Sequence, residues 1–207
     1  LPGIDVIAED LGLITPDVEE LLAAFDFPGL KVLQFEFGGH GPHGERHPYH
    51  YKPNSVTYTG THDTDTTVGW FHNNGHDREA RKNDAEREAA NVLALLGGDG
   101  SDVHWRMIGL ALESGSNLAI MPLQDVMGLG PEGRMNIPGT IHGNWQWRYK
   151  AGAITPDMLA RLRELTECPR LIVLASGQSA GAGEDAPTDA QRALAALALG
   201  PQLAEAG

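Results

Sequence analysis

Two clusters of acid–base residues directly follow apolar runs of the sequence. Glu9 comes after the run 5–8, and His62 and Asp63 come after the run 55–60. A partly desolvated carboxyl group can act as a general acid or base. A carboxylate beside an imidazole can hydrogen-bond sugar hydroxyls or stabilise a developing cation. A polar turn with helix-capping acids is the alternative at Glu9, and a solvated loop or Asx turn is the alternative at the His-Asp pair.

A third candidate cluster combines aromatic and amide side chains. Trp145 and Trp147 alternate with Asn144, Gln146 and Arg148. Such a surface suits sugars, because their apolar faces stack on aromatic rings while amides bind their hydroxyls. The alternative is that both tryptophans are core anchors.

The histidines of the loop rich in Gly, Pro and His are a weaker candidate for a metal site. They are His40, His43, His47 and His50. Histidine is a common ligand of zinc and nickel, but this segment contains no cysteine and no helical spacing that would preset a geometry. A mobile loop is the favoured interpretation, and no metal is expected. The single cysteine, Cys168, shows no sign of activation and is interpreted as structural or incidental.

The elements that must position these residues alternate between strands and helices. Strands are predicted at 5–8, 31–37, 55–60 and 118–123. Helices are predicted from Thr15-Pro16-Asp17 onward, at 78–96, at 102–113 and from Thr155-Pro156-Asp157 onward. This alternation predicts an α/β fold with a parallel sheet, whose strands carry functional residues at their carboxyl ends.

Composition excludes several classes of protein. The net charge of −13, from 15 basic and 28 acidic residues, argues against binding to nucleic acid or to an anionic membrane. The sequence contains neither a membrane-spanning run nor a phosphate-binding glycine motif. With one cysteine and no disulfide, the cytoplasm is the expected compartment. We expect one domain over residues 1–170, followed over 171–207 by a linker and a short tail with a predicted helix.

Taken together and in order, several runs resemble the 4-α-glucanotransferase family, known as amylomaltase or disproportionating enzyme. They are residues 8–16 (Ala-Glu-Asp-Leu-Gly-Leu-Ile-Thr-Pro), 29–35, 58–63, 124–126, 134–136 and 143–145. The resemblance implies about strands 5–8, the C-terminal half, of a (β/α)8 TIM-type barrel of the amylase-like retaining glycosidase type. It also implies transfer of α-1,4-glucan segments between maltodextrins by a retaining double displacement, with no metal or organic cofactor.

The resemblance also implies roles for individual residues. Glu9 would be the general acid/base, and Asp63 would bind the distorted sugar and stabilise its oxocarbenium-like state. His62 would bind the same sugar. The expected substrate-binding or supporting residues are Asn144, Phe35, Gln124 and Trp145.

One catalytic residue of the family has no match. Its nucleophile is an aspartate in an Arg-x-Asp-x-x-Arg-type motif upstream of the glutamate, and no aspartate of this sequence maps to it. The resemblance therefore implies a fragment with impaired activity, which would self-associate or pair with the missing N-terminal half to cover its sheet edges. The alternatives are a non-catalytic carbohydrate-binding remnant that keeps Trp145, Trp147 and Asn144, and a metal-binding protein using the histidine loop.

Overall fold

The computed structural model describes residues 6–12, 14–38, 47–75, 81–82 and 84–167. The predicted linker and tail helix and Cys168 lie outside these residues. Across the described ranges, no helix has both the length and the apolar character that a bilayer crossing requires.

A parallel sheet forms the centre of the fold. Its strands β1 (Gly29–Val32), β2 (Ser55–Tyr58) and β3 (Leu118–Ile120) pair in the order β1-β2-β3. On the other edge of β1, Ala8 makes an isolated parallel bridge to Gly29. Spatial order thus follows chain order, as expected of parallel strands joined by helical crossovers. The predicted parallel α/β arrangement is confirmed for these strands.

The helices begin close to where the capping signals predict. The α-helices are α1 (Pro16–Phe25), α2 (Leu33–Glu36), α3 (Thr67–His72), α4 (Ala85–Leu96), α5 (Val103–Glu113), α6 (Leu123–Val126) and α7 (Pro156–Thr166). Short 3-10 turns lie at Pro48–His50 and Pro131–Gly133. The Thr155 side chain accepts a hydrogen bond from the Met158 N–H, so it caps α7 as the sequence predicts. Thr15 is the N-cap residue of α1, but its side chain makes no capping hydrogen bond.

The prediction of a strand over 31–37 is wrong in its second half. The strand ends at Val32 and the chain turns directly into α2. This helical turn buries Leu33 and Phe37, four residues apart, on one face and leaves Phe35 exposed. A continued strand would place all three side chains on the same face, so burial of only two favours the helix.

The strand predicted over 118–123 is also too long. It ends at Ile120, and Pro122 precedes α6. Proline has no N–H to donate to a neighbouring strand, so pairing stops there. The predicted strand at 5–8 is represented in the described residues only by the bridge at Ala8.

Helix α5 is the centre of the apolar core. It contacts α3, α4, α6, α7 and the strands β2 and β3. Its Met107 and Ile108 are fully buried, together with Leu33 of α2, Leu123 of α6 and Leu162 of α7. Helices α2, α6 and α7 therefore contribute to one apolar cluster with α5.

Helix α1 differs from the others because it carries no buried residue. Its apolar residues recur at helical spacing, yet Leu21 is 57% and Phe25 is 61% exposed. Phe25 stacks only with Phe27 among the aromatic rings of the described chain, at 5.5 Å between ring centroids. The apolar face of α1 thus stays in contact with solvent.

A buried carboxyl group joins three elements. Asp125 of α6 is 1% exposed, and its Oδ2 accepts a hydrogen bond from the Thr59 hydroxyl at 2.6 Å. Its Oδ1 accepts from the Thr67 N–H at 2.8 Å. Burial raises the pKa of Asp125, against the opposing effect of these hydrogen bonds. Thr59 follows β2 and Thr67 begins α3, so Asp125 holds both ends of the loop formed by residues 60–66.

Leu162→Ala tests the contribution of α7 to the core. Because Leu162 is fully buried, truncation removes apolar contacts and leaves a cavity, at a cost of about 2–5 kcal/mol in the free energy of unfolding. Urea denaturation measures this loss. The matched variant Leu21→Ala, on exposed α1, should change stability by less than about 0.5 kcal/mol. Equal effects of the two variants would contradict the packing described above.

Asp125→Asn tests the buried carboxyl group through pH. The raised pKa means that the folded chain keeps the Asp125 proton at pH values where the unfolded chain has lost it. The free energy of unfolding of the wild type should therefore fall, relative to Asp125→Asn, as pH rises above about 4. Urea denaturation over a pH series measures the difference.

Asp99→Asn is the matched control with the opposite sign. The backbone N–H of Ser101 donates to the Asp99 carboxylate and lowers the pKa of Asp99. The unfolded chain then binds the proton first as pH falls, so the stability of the wild type relative to Asp99→Asn should rise with pH. The interpretation of Asp125 is wrong if both differences have the same sign.

Candidate active site

A cleft of about 850 Å³ opens at the carboxyl ends of the strands. Tyr58 and Ile120, the last residues of β2 and β3, line its floor. We call it the strand-end cleft. Four of the predicted site residues line it, namely Glu9, Phe35, His62 and Asp63. The structure thus brings together the two acid–base clusters that the sequence places 53 or more residues apart (62 − 9 = 53).

Glu9 reaches the strand-end cleft from the outer edge of the sheet. The neighbouring Asp10 holds this segment, because its Oδ1 accepts from the Leu30 N–H at 2.5 Å and its Oδ2 lies 3.9 Å from Lys31 Nζ. The absence of a side chain at Gly29 leaves room for Asp10, since a Cβ there would lie 2.4 Å from Asp10 Oδ2. Adjacent residues of an extended chain point to opposite sides, so fixing Asp10 also directs Glu9.

The environment of Glu9 differs from the expectation of partial desolvation. Glu9 is exposed, because its segment lies at the edge of the described sheet. The negative charge of Glu9 affects the titration of the Tyr58 phenol. Burial, and after it the nearby negative charge of Glu9, raise the pKa of Tyr58. The Tyr58 phenol therefore stays protonated near neutral pH and can donate a hydrogen bond beside Glu9.

His62 and Asp63 lie in the 60–66 loop and are about half exposed, at 45% and 47% of their side chains. His62 Nε2 is 3.3 Å from Asp63 Oδ1. The loop is shaped by threonines: the Thr61 hydroxyl accepts from the Asp63 N–H, and the Thr64 hydroxyl accepts from the Thr61 N–H. Such short side-chain contacts to the backbone are typical of turns. Both side chains therefore face the strand-end cleft from a structured loop.

A second segment, residues 134–136, contacts the 60–66 loop, and we call it the 134–136 strap. Arg134 Nη2 donates to the carbonyl oxygen of Asp63 at 2.8 Å, and the Asn136 N–H donates to that of His62 at 3.0 Å. Asn136 Nδ2 also donates to Asp63 Oδ1 at 2.6 Å. The predicted site residues include neither Arg134 nor Asn136. The run Arg134-Met135-Asn136 was the available signal, but spacing along the chain does not reveal a contact over 73 residues.

Three of the predicted substrate-binding residues, Gln124, Asn144 and Trp145, do not line the strand-end cleft. Gln124 is 3% exposed and donates from Nε2 to the Gly133 carbonyl at 3.1 Å, beside a small adjoining pocket that His62 also lines. Asn144 accepts from the Ile137 N–H at 2.9 Å and donates to Thr140. Both amides therefore make hydrogen bonds that shape the chain around the cleft.

The aromatic residues divide between surface and core. Phe35, on the strand-end cleft, is 57% exposed, and Trp145 is 50% exposed. The Trp145 ring lies 5.0 Å from the His62 ring, so it extends the cleft beyond the 60–66 loop. Trp147 instead packs against the core, near Tyr149. The interpretation as a core anchor thus fits Trp147 and does not fit Trp145.

An ion pair that was not predicted lies on the wall of the strand-end cleft. Arg81 donates to the Glu88 carboxylate and, at 2.7 Å, to the Trp70 carbonyl. Its guanidinium also lies over the Trp70 ring, 5.3 Å from the centroid. Both side chains are largely buried. This wall of the cleft is therefore polar, and the contacts to Glu88 and Trp70 fix the Arg81 guanidinium in place.

The histidine loop is only partly described. His40 and His43 lie outside the described residues, and the rings of His47 and His50 are 5.9 Å apart. His47 Nδ1 accepts from the Tyr49 N–H at 3.3 Å. In the described ranges, no group of three or more His, Cys, Asp or Glu side chains is arranged to hold a metal ion.

Comparison with known proteins agrees with this geometry. The family model for 4-alpha-glucanotransferase matches residues 2–155. The chain is 44% identical over 166 residues to the 4-alpha-glucanotransferase of Synechocystis sp., a match that covers 80% of the chain and 31% of the relative. It is 43% identical over 169 residues to that of Thermus thermophilus, covering 79% and 32%. The chain thus spans about a third of the length of these relatives.

A solved structure shows the same relationship. The amylomaltase from Streptococcus agalactiae, in complex with acarbose, aligns with a TM-score of 0.66 at 30% sequence identity. The alignment covers 77% of this chain and 30% of that amylomaltase. The parallel sheet and its helices therefore correspond to part of an amylomaltase, whose family has an amylase-like TIM-barrel fold. With the family model and this structural match in agreement, the chain belongs to the 4-alpha-glucanotransferase family.

Proposed function

We propose that this chain provides the acid/base part of a retaining 4-α-glucanotransferase site that acts on maltodextrins. The observation that carries the proposal is the meeting of Glu9, His62 and Asp63 on one cleft at the carboxyl ends of parallel strands. In barrels of parallel strands the catalytic residues lie at that end. Family membership supplies the substrate class, an α-1,4-glucan.

Glu9 is proposed as the general acid/base. In the first half of a retaining reaction, it protonates the oxygen of the leaving glucan, and in the second half it removes the proton from the hydroxyl of the acceptor glucan. Its exposed position leaves space for a glucan on the strand-end cleft. The protonated Tyr58 phenol nearby can hydrogen-bond either Glu9 or the bound sugar.

Asp63 is proposed to stabilise the transition state. Asn136 and His62 occupy its Oδ1, which leaves Oδ2 to accept a hydrogen bond from a sugar hydroxyl. A fixed negative charge next to the sugar ring stabilises the positive charge of an oxocarbenium-like transition state. His62 presents its ring to the same sugar. Neither step requires a metal ion or an organic cofactor.

The aromatic side chains are proposed to bind the glucan by stacking. Phe35 and Trp145 are both half exposed or more; Phe35 lines the strand-end cleft and Trp145 lies against His62. Stacked rings also keep water from the glycosyl-enzyme, which favours transfer to a sugar hydroxyl over hydrolysis. Gln124 and Asn144 are proposed to support this surface through the hydrogen bonds described above.

The nucleophile is proposed to lie on a segment that precedes the glutamate in the family. No aspartate of this sequence corresponds to it. Two observations support contact with such a segment. Within the described residues, Ala8 pairs with Gly29 on one side and with no strand on the other. Val6, Ile7 and the apolar face of α1 are exposed. We propose that these surfaces pair with the preceding barrel strands, which makes residues 1–170 the C-terminal half of the barrel.

The cytoplasm remains the proposed compartment. This proposal concerns this chain and not its relatives, because the Arabidopsis thaliana relative is a chloroplastic/amyloplastic 4-alpha-glucanotransferase.

Grafting tests the proposed function. Residues 2–155 replace the matching segment of the Thermus thermophilus relative, and the chimaera is incubated with maltotriose. We expect glucose and longer maltodextrins by product analysis, whereas the 207-residue chain alone should give little or none. Glu9→Gln in the chimaera should lower the rate of transfer by about 10²–10⁴-fold, because the amide cannot exchange the proton.

The matched control is Glu20→Gln in the same chimaera. Glu20 is an exposed residue of α1, so this variant makes the same chemical change away from the strand-end cleft. Its rate should equal that of the unmodified chimaera. A folded chimaera that makes no product, or one in which Glu9→Gln retains the full rate, contradicts the proposal. Maltodextrin binding without turnover would favour a carbohydrate-binding remnant.

A further inference from the structure

The 134–136 strap contacts the proposed transition-state residue, Asp63, at both its carboxylate and its carbonyl oxygen. Its contacts to the 60–66 loop include one side-chain bond to the Asp63 carboxylate and bonds to the carbonyl oxygens of His62 and Asp63. Arg134 Nε also donates to the Asn136 carbonyl at 2.9 Å. This last bond closes the strap on itself, so its two donors are held at a fixed separation.

The contact at the carboxylate is short and selective. Asn136 Nδ2 lies 2.6 Å from Asp63 Oδ1, slightly below the range of about 2.7–3.2 Å for N–H···O hydrogen bonds, of which those to charged acceptors are the shorter ones. His62 Nε2, at 3.3 Å from the same oxygen, is farther away. Both contacts are made to Oδ1 of Asp63. The Asp63 side chain is about half exposed, so without such a bond it would sample several rotamers.

We propose that Asn136 is a positioning residue for Asp63. The amide holds Oδ1, which fixes the plane of the carboxylate and presents Oδ2 to the sugar in the strand-end cleft. This inference rests on the proposed function of Asp63, and it adds a residue whose effect on the reaction passes through that carboxylate. An amide suits the task because it donates a hydrogen bond without adding a positive charge that would oppose the oxocarbenium-like state.

The same strap reaches the proposed stacking residue. The Trp145 N–H donates to the Met135 carbonyl at 2.7 Å, and the Trp145 ring lies against His62. Met135 itself is buried, which anchors the middle of the strap in the structure. The strap thus connects the carboxylate and the aromatic surface, and displacing it would disturb both. A test of Asn136 must therefore separate its side chain from the strap as a whole.

The first test is structural and does not require turnover. We compare crystal structures of the full 207-residue chain as wild type, Asn136→Ala and Asn136→Asp. The backbone bonds of the strap persist in both variants, so His62 and Trp145 should keep their positions. The Asp63 carboxylate should rotate away from its wild-type position, furthest in Asn136→Asp, where two carboxylates repel each other. An unchanged Asp63 rotamer in both variants would overturn the proposal.

The second test is a double-mutant cycle in the active chimaera. Asn136→Ala alone should lower kcat by about 10–100-fold, as expected for misplacement of a catalytic group by about an ångström. KM should change by less than about twofold, because the lost interaction is made in the transition state. In the Asp63→Asn background, Asn136→Ala should cost less than about twofold more. A merely structural role would give the full loss in both backgrounds, which would overturn the proposal.

Asn54→Ala is the matched control. Asn54 Nδ2 donates to the Asp26 carboxylate at 2.8 Å, so the variant removes the same kind of amide–carboxylate bond far along the chain from the strap. It should leave kcat and KM unchanged. Failure of the two proposals is distinguishable: an inactive unmodified chimaera overturns the proposed function, whereas an active one in which Asn136→Ala has no effect overturns only the role of Asn136.

Discussion

The hydrogen bonds to the buried carboxyl group of Asp125 are the interaction on which the site depends. A carboxyl group without water must find donors within the protein, and the Thr59 hydroxyl and the Thr67 N–H supply them. These donors flank the 60–66 loop, so the cost of burying Asp125 is offset only while both ends of that loop stay in place. The core around α5 and the strand-end cleft are thereby joined through one side chain.

The two carboxylates proposed for catalysis are supported in different ways. Asp63 is held from within the described fold, by threonines of its own loop and by the 134–136 strap. Glu9 lies at the edge of the sheet and is fixed through its neighbour Asp10, which bonds to β1. The position of the Asp63 carboxylate is therefore set by residues of this chain. The edge carboxylate follows Ala8, which within the described residues pairs with β1 on one side and with no strand on the other.

Sequence patterns predict the local parts of this structure well. Threonine–proline–acid runs mark the starts of α1 and α7, and strand ends followed by polar residues locate Glu9, His62 and Asp63. The run 31–37 misleads because alternating apolar residues fit both a strand and a helical turn, and only tertiary burial of Leu33 and Phe37 decides between them. The roles of Asn136 and Asp125 were not predicted, because they depend on partners distant in sequence. The partner of Asn136 is 73 residues away, and those of Asp125 are 58 and 66 residues away.

Trp145 has a backbone conformation that side chains seldom adopt, with φ at 62°. The left-handed region costs a residue with a Cβ about 1 kcal/mol, and the bonds from its N–H to Met135 and from Arg148 to its carbonyl hold it there. These bonds thus fix the main-chain position from which the indole extends towards His62. Evolution or protein engineering could exchange the aromatic group at this position, and so alter the proposed stacking surface, without rebuilding the main chain that presents it.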